Sequence, residues 1–204
     1  MKLATIMVML SDQGSEALEG LMKEAERFVV LQMYGKGQCP PRLFMHGVEG
    51  MGIISPNQLT GPAAKDQFAR LALVACIAHG ADATVFVSEA WSVLGRKGEQ
   101  LDLTQVPSES PNRQEVVIML GQSRKNHMQK AFPILRHANG KFKSLGEAVR
   151  EMGEADQVLG RFAQFVPTEA PSEAQRREAQ AILEAKGMRQ KREEHRERGR
   201  GMAM

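Results

Sequence analysis

Aromatic residues make up 5% of this chain, with one Trp and one Tyr, and cysteine is scarcer still, with Cys39 and Cys76 alone. Two cysteines exclude a disulfide-built scaffold. Neither belongs to a C-x-x-C pair: Cys76 lies in the apolar run 71–78 and reads as a small buried hydrophobe, and Cys39 precedes Pro40-Pro41 and reads as a loop residue. No run of 18 apolar residues occurs, so no transmembrane helix is expected. The apolar start, 1–10, has one Lys, no small-residue cleavage site and Asp12 close behind, a poor signal peptide, and the cytoplasm is the expected compartment. The sequence has no P-loop, G-x-G-x-x-G, H-E-x-x-H or G-x-S-x-G, so nucleotide chemistry, zinc proteolysis and serine hydrolysis lack motif support. His46, His79, His127, His137 and His195 are dispersed without ligand spacing, and neither a metal nor a cofactor is expected.

What is present suits one domain with an appendage. The 204 residues are 42% hydrophobic and 25% charged, with 13 Met, enough to bury an ordinary core. Charge is uneven. Residues 173–200 hold nine Lys or Arg and six Glu; subtracting these from 27 basic and 24 acidic residues leaves 18 of each. The body is neutral and the excess positive charge sits in the tail.

Apolar spacing through Leu18, Leu21, Met22, Ala25, Phe28 and Val29 predicts a helix over 15–30, stopped by Gly35 and Gly37. Short apolar runs at 42–48 and 51–55 around Glu49-Gly50 predict a hairpin. A helix follows from Pro62 to His79, apolar on most sides and therefore central, capped by Gly80. Strands are predicted at 83–88, 115–120, 128–136 and 141–144, the last two joined through Asn139-Gly140. Pro133 marks its strand as an edge or a bulge. Helical spacing resumes over 145–165, weakened by Gly153 and Gly160. After a Pro167–Pro171 linker, Ser172 opens a last helix with Gln175 at the capping-box position; it carries few apolar residues, reads as solvated, and ends in a disordered 199–204. The fold class is α+β, a mostly antiparallel sheet packed on helices in the order α-β-β-α-β-β-β-β-α, plus a charged C-terminal helical tail. The domain spans 1–166 and the linker and tail 167–204. The element order resembles that of roadblock or profilin-like domains, an analogy that carries no function by itself.

Three features are candidates for function. The first is Glu89 after one strand with Arg113 and Glu115 at the start of the next: paired antiparallel, these strands gather two carboxylates and a guanidinium at one sheet end, an acid/base or phosphate site, or else an ion pair closing a loop under Trp91. The second is the stretch 116–146, 31 residues without Asp or Glu, holding Arg124, Lys125, Lys130, Arg136, Lys141 and Lys143. Such a basic hairpin, with Phe132 and Phe142, can grip a nucleic-acid backbone, or its lysines can guard a sheet edge. The third is the tail, where 7 basic face 3 acidic residues from Lys186 onward, though the Glu interleaved before them suit a solvated helix with i,i+4 pairs.

The segments Ser88-Glu89-Ala90-Trp91 and Pro111-Asn112-Arg113-Gln114-Glu115-Val116-Val117 resemble a family of uncharacterised bacterial, phage or plasmid proteins with an S-E-A-W strand end and a P-x-R-x-E-V-V strand start. The resemblance implies no activity; it points to a mobile-element accessory protein. The reading is a non-enzymatic accessory protein whose basic hairpin and tail contact nucleic acid or a protein partner. The alternatives are a small enzyme using Glu89, Arg113 and Glu115, and a roadblock-like dimeric adaptor that forms a homodimer.

Overall fold

The computed structural model describes residues 13–56, 59–93, 109–154, 162 and 164–186. The expectations for 1–10 and for 199–204 lie outside the described residues, as does most of the stretch 95–111. Among those described, three helices and a seven-stranded antiparallel sheet form an α+β fold, the class expected, with the elements in the expected order as far as residue 145.

Helix α1 (Gln13–Lys36) extends the predicted helix by two residues at its start and six at its end. It covers one face of the sheet, burying Leu18, Ala25, Val29 and Met33 against Val85, Val87, Val117 and Met119. Strands β1 (Arg42–Gly47) and β2 (Gly50–Ile54) form the predicted hairpin. Helix α2 (Gly61–His79) ends on Gly80 at φ 61°, ψ 40°, left-handed backbone that glycine adopts without penalty. It covers the opposite face, setting Phe68, Ala72, Ala75 and Cys76 against Leu43, Met45 and Phe86. Strict alternation along the strands sorts side chains between the two helices. Where α2 ends, it comes so close to β1 that a Cβ on Gly47 would lie 2.6 Å from the His79 carbonyl oxygen.

Strands β3 (Ala83–Ser92) and β4 (Gln114–Ser123) pair over their full ten residues, and β4 turns into β5 (Asn126–Arg136). The sheet order is β2-β1-β3-β4-β5, and two strands then share the far side of β5. Strand β6 (Phe142–Leu145) pairs residues 134–136 of β5, and β7 (Val149–Glu154) pairs residues 126–131. Pro133 therefore lies in an inner strand rather than at an edge, and that strand has the irregularity expected as the alternative, a register shift between Leu135 and Arg136. Pro133 sits where the pairing passes from β7 to β6, so its missing N–H costs no ladder bond, and its carbonyl accepts from Gly146 N at 2.7 Å.

Two expectations change. Residues 149–154, read as helical from apolar spacing, are strand: β6 is too short to satisfy an 11-residue β5, and the chain returns to fill the vacant half of the ladder. Helix α3 (Glu173–Ala185) has the predicted capping box, with Ser172 accepting from Gln175 N, yet it is not merely solvated. It packs on α2, burying Ala179 and Leu183, and Leu183 joins the α2-side core with Phe165.

Candidate functional site

The register brings the two halves of the S-E-A-W and P-x-R-x-E-V-V segments side by side: Glu89 opposes Val117, Ala90 opposes Val116 and Trp91 opposes Glu115. Glu89 and Glu115 thus continue the α1-side row begun by Val85, Val87 and Val117, at the end of the sheet that α1 leaves uncovered. Their bonds lead elsewhere than to one shared centre. Glu89 Oε1 accepts the Cys39 backbone N–H at 2.5 Å and so holds the chain leaving α1. Glu115 receives two hydrogen bonds from Arg136 of β5, Nε at 2.6 Å and Nη2 at 2.5 Å, the forked geometry in which guanidinium and carboxylate bind most strongly. These bonds to Glu115 push the Arg136 pKa up from its already high ordinary value. The Arg113 guanidinium lies 5.1 Å from the centre of the Trp91 ring, which is about half exposed (48%). The arrangement fastens β3, β4, β5 and the α1–β1 connection together. Its carboxylates already accept protein donors, the state of structural groups rather than of a base waiting for substrate.

The six basic residues of the acid-free stretch do not form one surface. Arg124 turns inward at the β4–β5 turn, where Nη2 donates to the Ala81 carbonyl at 2.9 Å and Nε is buried. Lys130 reaches α1 and places Nζ 2.8 Å from both Glu26 oxygens and over the Phe132 ring. Arg136 is held by Glu115. Lys125, Lys141 and Lys143 are exposed, but Lys125 precedes β5 and the other two follow it. An 11-residue strand separates its ends by roughly 33 Å.

Sequence reasoning missed one polar pair. His46 in β1 and Asp82 before β3 meet at 2.8 Å between Nδ1 and Oδ1, tied also by Asp82 N donating to the His46 carbonyl. In the tautomer that donates from Nδ1, the carboxylate orients the ring and leaves Nε2 as an acceptor, the layout of an oriented base. Thirty-six positions separate the two, and no local pattern could have linked them. Buried His79 directs Nε2 at the Gly50 carbonyl, 2.9 Å away, and helps fix the hairpin to α2. Both cysteines are buried. Burial pushes each thiol up to about 12, and the nearby Glu89 carboxylate adds to the rise at Cys39, so neither supplies a thiolate nucleophile at neutral pH. No group of three or more His, Cys, Asp or Glu that could hold a metal occurs among the described residues, and no helix there is long and apolar enough to cross a membrane.

Two surface features remain. A cleft of about 470 Å³ opens between α2, α3 and the 167–171 segment, with Val74, Ile77 and Ile182 beside Glu169 and Glu178. At the sheet edge, β2 carries Met51 and Ile53 about half exposed, with Val48 of the preceding turn 68% exposed. Comparison of the chain with protein-family models, curated proteins and solved structures found no match.

Proposed function

We propose that this chain is a non-enzymatic accessory protein that works by binding a protein partner. The observation that supports this most is the outer hairpin. Among the described residues, strand β2 is uncharged, pairs only with β1, and presents Met51 and Ile53 about half exposed. An uncharged, apolar outer strand offers both main-chain hydrogen bonds and side-chain burial to another chain. The carboxylates of the candidate catalytic set and three of the six candidate phosphate-binding side chains, by contrast, are engaged within the fold.

A second reading, nucleic-acid contact, rests on Lys141 and Lys143, both exposed around the β5–β6 turn. Affinity capture from a lysate of the source cells, with and without nuclease, separates the two. A protein retained after nuclease treatment, and lost with Ile53→Lys, supports the protein-binding reading. Recovery of nuclease-sensitive material alone overturns it in favour of nucleic acid.

A further inference from the structure

The two sides of this sheet are defended differently. On the β5 side, β6 carries Lys143 and β7 carries Arg150, charges of the kind that keep sheet edges apart. Strand β2, Gly-Met-Gly-Ile-Ile, has no charge and no proline, and its pairing with β1 shows no bulge. Among the described residues, β2 is the outer strand that carries no charge, the pattern of a strand meant to be paired.

We infer that the partner is a second copy of this chain, joined by antiparallel pairing of β2 with β2 about a two-fold axis at Gly52. This inference rests on the protein-binding reading above and names its partner. Self-pairing is decided by register, because every residue i meets a residue j of the copy and j meets i. Centring on Gly52 sets Met51 opposite Ile53 of the second copy, twice, so the exposed apolar side chains cover one another. The residue at the axis meets itself, and as glycine it brings no side chain into the gap.

The charges decide in favour of this register. One step beyond the strand at either end, Glu49 falls opposite Ser55 of the second copy. Within each chain, Ser55 is held by Arg42, whose Nε donates to its Oγ at 3.2 Å. Arg42 stands on the same side of the sheet as Ile53 and Met51, and its guanidinium is stacked 4.1 Å from the Phe28 ring centre. Each Glu49 thus arrives beside the Arg42 of the other copy, across the ladder, and the symmetry makes two such pairs. Glu49 and the opposed Ser55 lie about 4.5–5.5 Å apart at Cβ, and because the Arg42 side chain already reaches that Ser55, the Glu49 side chain can meet its guanidinium. Moving the axis to Met51 sets Glu49 opposite Ile53 and loses both pairs. With Gly52 at the axis, α1 lies on the same face in both copies, and the sheets join into one of doubled width. A five-residue ladder is smaller than a standard interface, so the association is reversible, with a dissociation constant of roughly micromolar or weaker.

Sedimentation equilibrium across about 5 to 500 µM, the range in which so small an interface populates both species, tests it. The expected result is a concentration-dependent monomer–dimer equilibrium that Ile53→Lys weakens at least about tenfold. Glu49→Arg and Arg42→Glu should each weaken it when alone, since each places like charges at both pairs. Mixing the two variants should restore association, because the mixed dimer has both pairs with opposite charges again. Circular dichroism of each variant by itself checks that the fold is intact. A wild-type chain that stays monomeric throughout, a dimer indifferent to Ile53→Lys, or no recovery on mixing overturns the inference. A monomeric chain that still captures a different protein through Ile53 overturns self-pairing and leaves the protein-binding reading standing.

Discussion

Two parallel hydrogen bonds tie Arg136 to Glu115, and both side chains are less than a third exposed, at 30% and 24%. Removing the guanidinium leaves a half-buried carboxylate without its partner, so Arg136→Ala should cost about 1–3 kcal/mol. Arg113→Ala removes the guanidinium stacked at the half-exposed Trp91 ring, a contact worth about 0.5–1 kcal/mol. Urea denaturation of both variants gives the order, and a larger loss at Arg113 would mean that this sheet end is held together otherwise than by Glu115. The thiols make a second prediction. Burial raises Cys39 and Cys76 from an ordinary 9.0 to about 12, so the folded chain keeps protons that the unfolded chain releases. That contribution to stability is whole below about pH 9 and is lost as pH climbs towards 12, by up to about 1.4 kcal/mol per pH unit for each thiol. Cys76→Ala should therefore lose less stability than the parent between about pH 7 and pH 10. Equal losses would place the alkaline sensitivity on other groups.

Helix α3 packs along α2 and buries Ala179 and Leu183, and its weight is measurable. Leu183 is 4% exposed within the α2-side core, so Leu183→Ala should cost about 2–4 kcal/mol, and removal of everything after Thr168 should lower the melting temperature. An unchanged transition after that truncation would mean the helix rests on the body without supporting it. At the other end of α2, Gly47→Ala drives a methyl group into the His79 and Gly80 carbonyl oxygens, 2.6 and 2.9 Å away. Backbone cannot step aside as a side chain can, so a loss of about 1–3 kcal/mol is expected. Such elements were legible in unequal measure. Helices α1 and α2 declare themselves by apolar spacing and a terminal glycine, and β1 to β6 by β-branched runs and turns, because those signals are local. Strand β7 is not local: Val149 to Glu154 becomes a strand because half of β5 needs hydrogen-bond partners. The docking of α3 was hidden because Ala179 and Leu183 are too few to mark an apolar stripe. The same holds for the sites, where the meeting of Glu89 with the Glu115 strand followed from the antiparallel order, but Cys39, Glu26 and Arg136 as partners came only from the packing.

For the molecule as a whole, charge is the property that composition alone describes worst. The net charge is +3, and the acid-free stretch looks like a basic patch when written as a line. Folding breaks the patch up. Glu26 of α1 takes Lys130, Glu115 of β4 takes Arg136, and the Ala81 carbonyl takes Arg124. Lys125 is left at one end of β5, and Lys141 and Lys143 at the other. A phosphate backbone lying across the β5–β6 turn then meets about two of these charges, and each phosphate neutralised contributes about −0.9 to the slope of log affinity against log salt. Fluorescence anisotropy with short duplex probes at low salt should give a slope near −2 at the steepest, and binding too weak to persist at physiological salt. Lys141→Glu with Lys143→Glu should abolish even that, while Lys130→Glu, which sets a second carboxylate against Glu26, should lower stability more than it lowers binding. A slope steeper than about −4 would require Lys130 or Arg136 to leave its carboxylate for the phosphates. The internal pairs would then be a reserve of binding charge, and the edge hairpin would no longer be the leading contact surface.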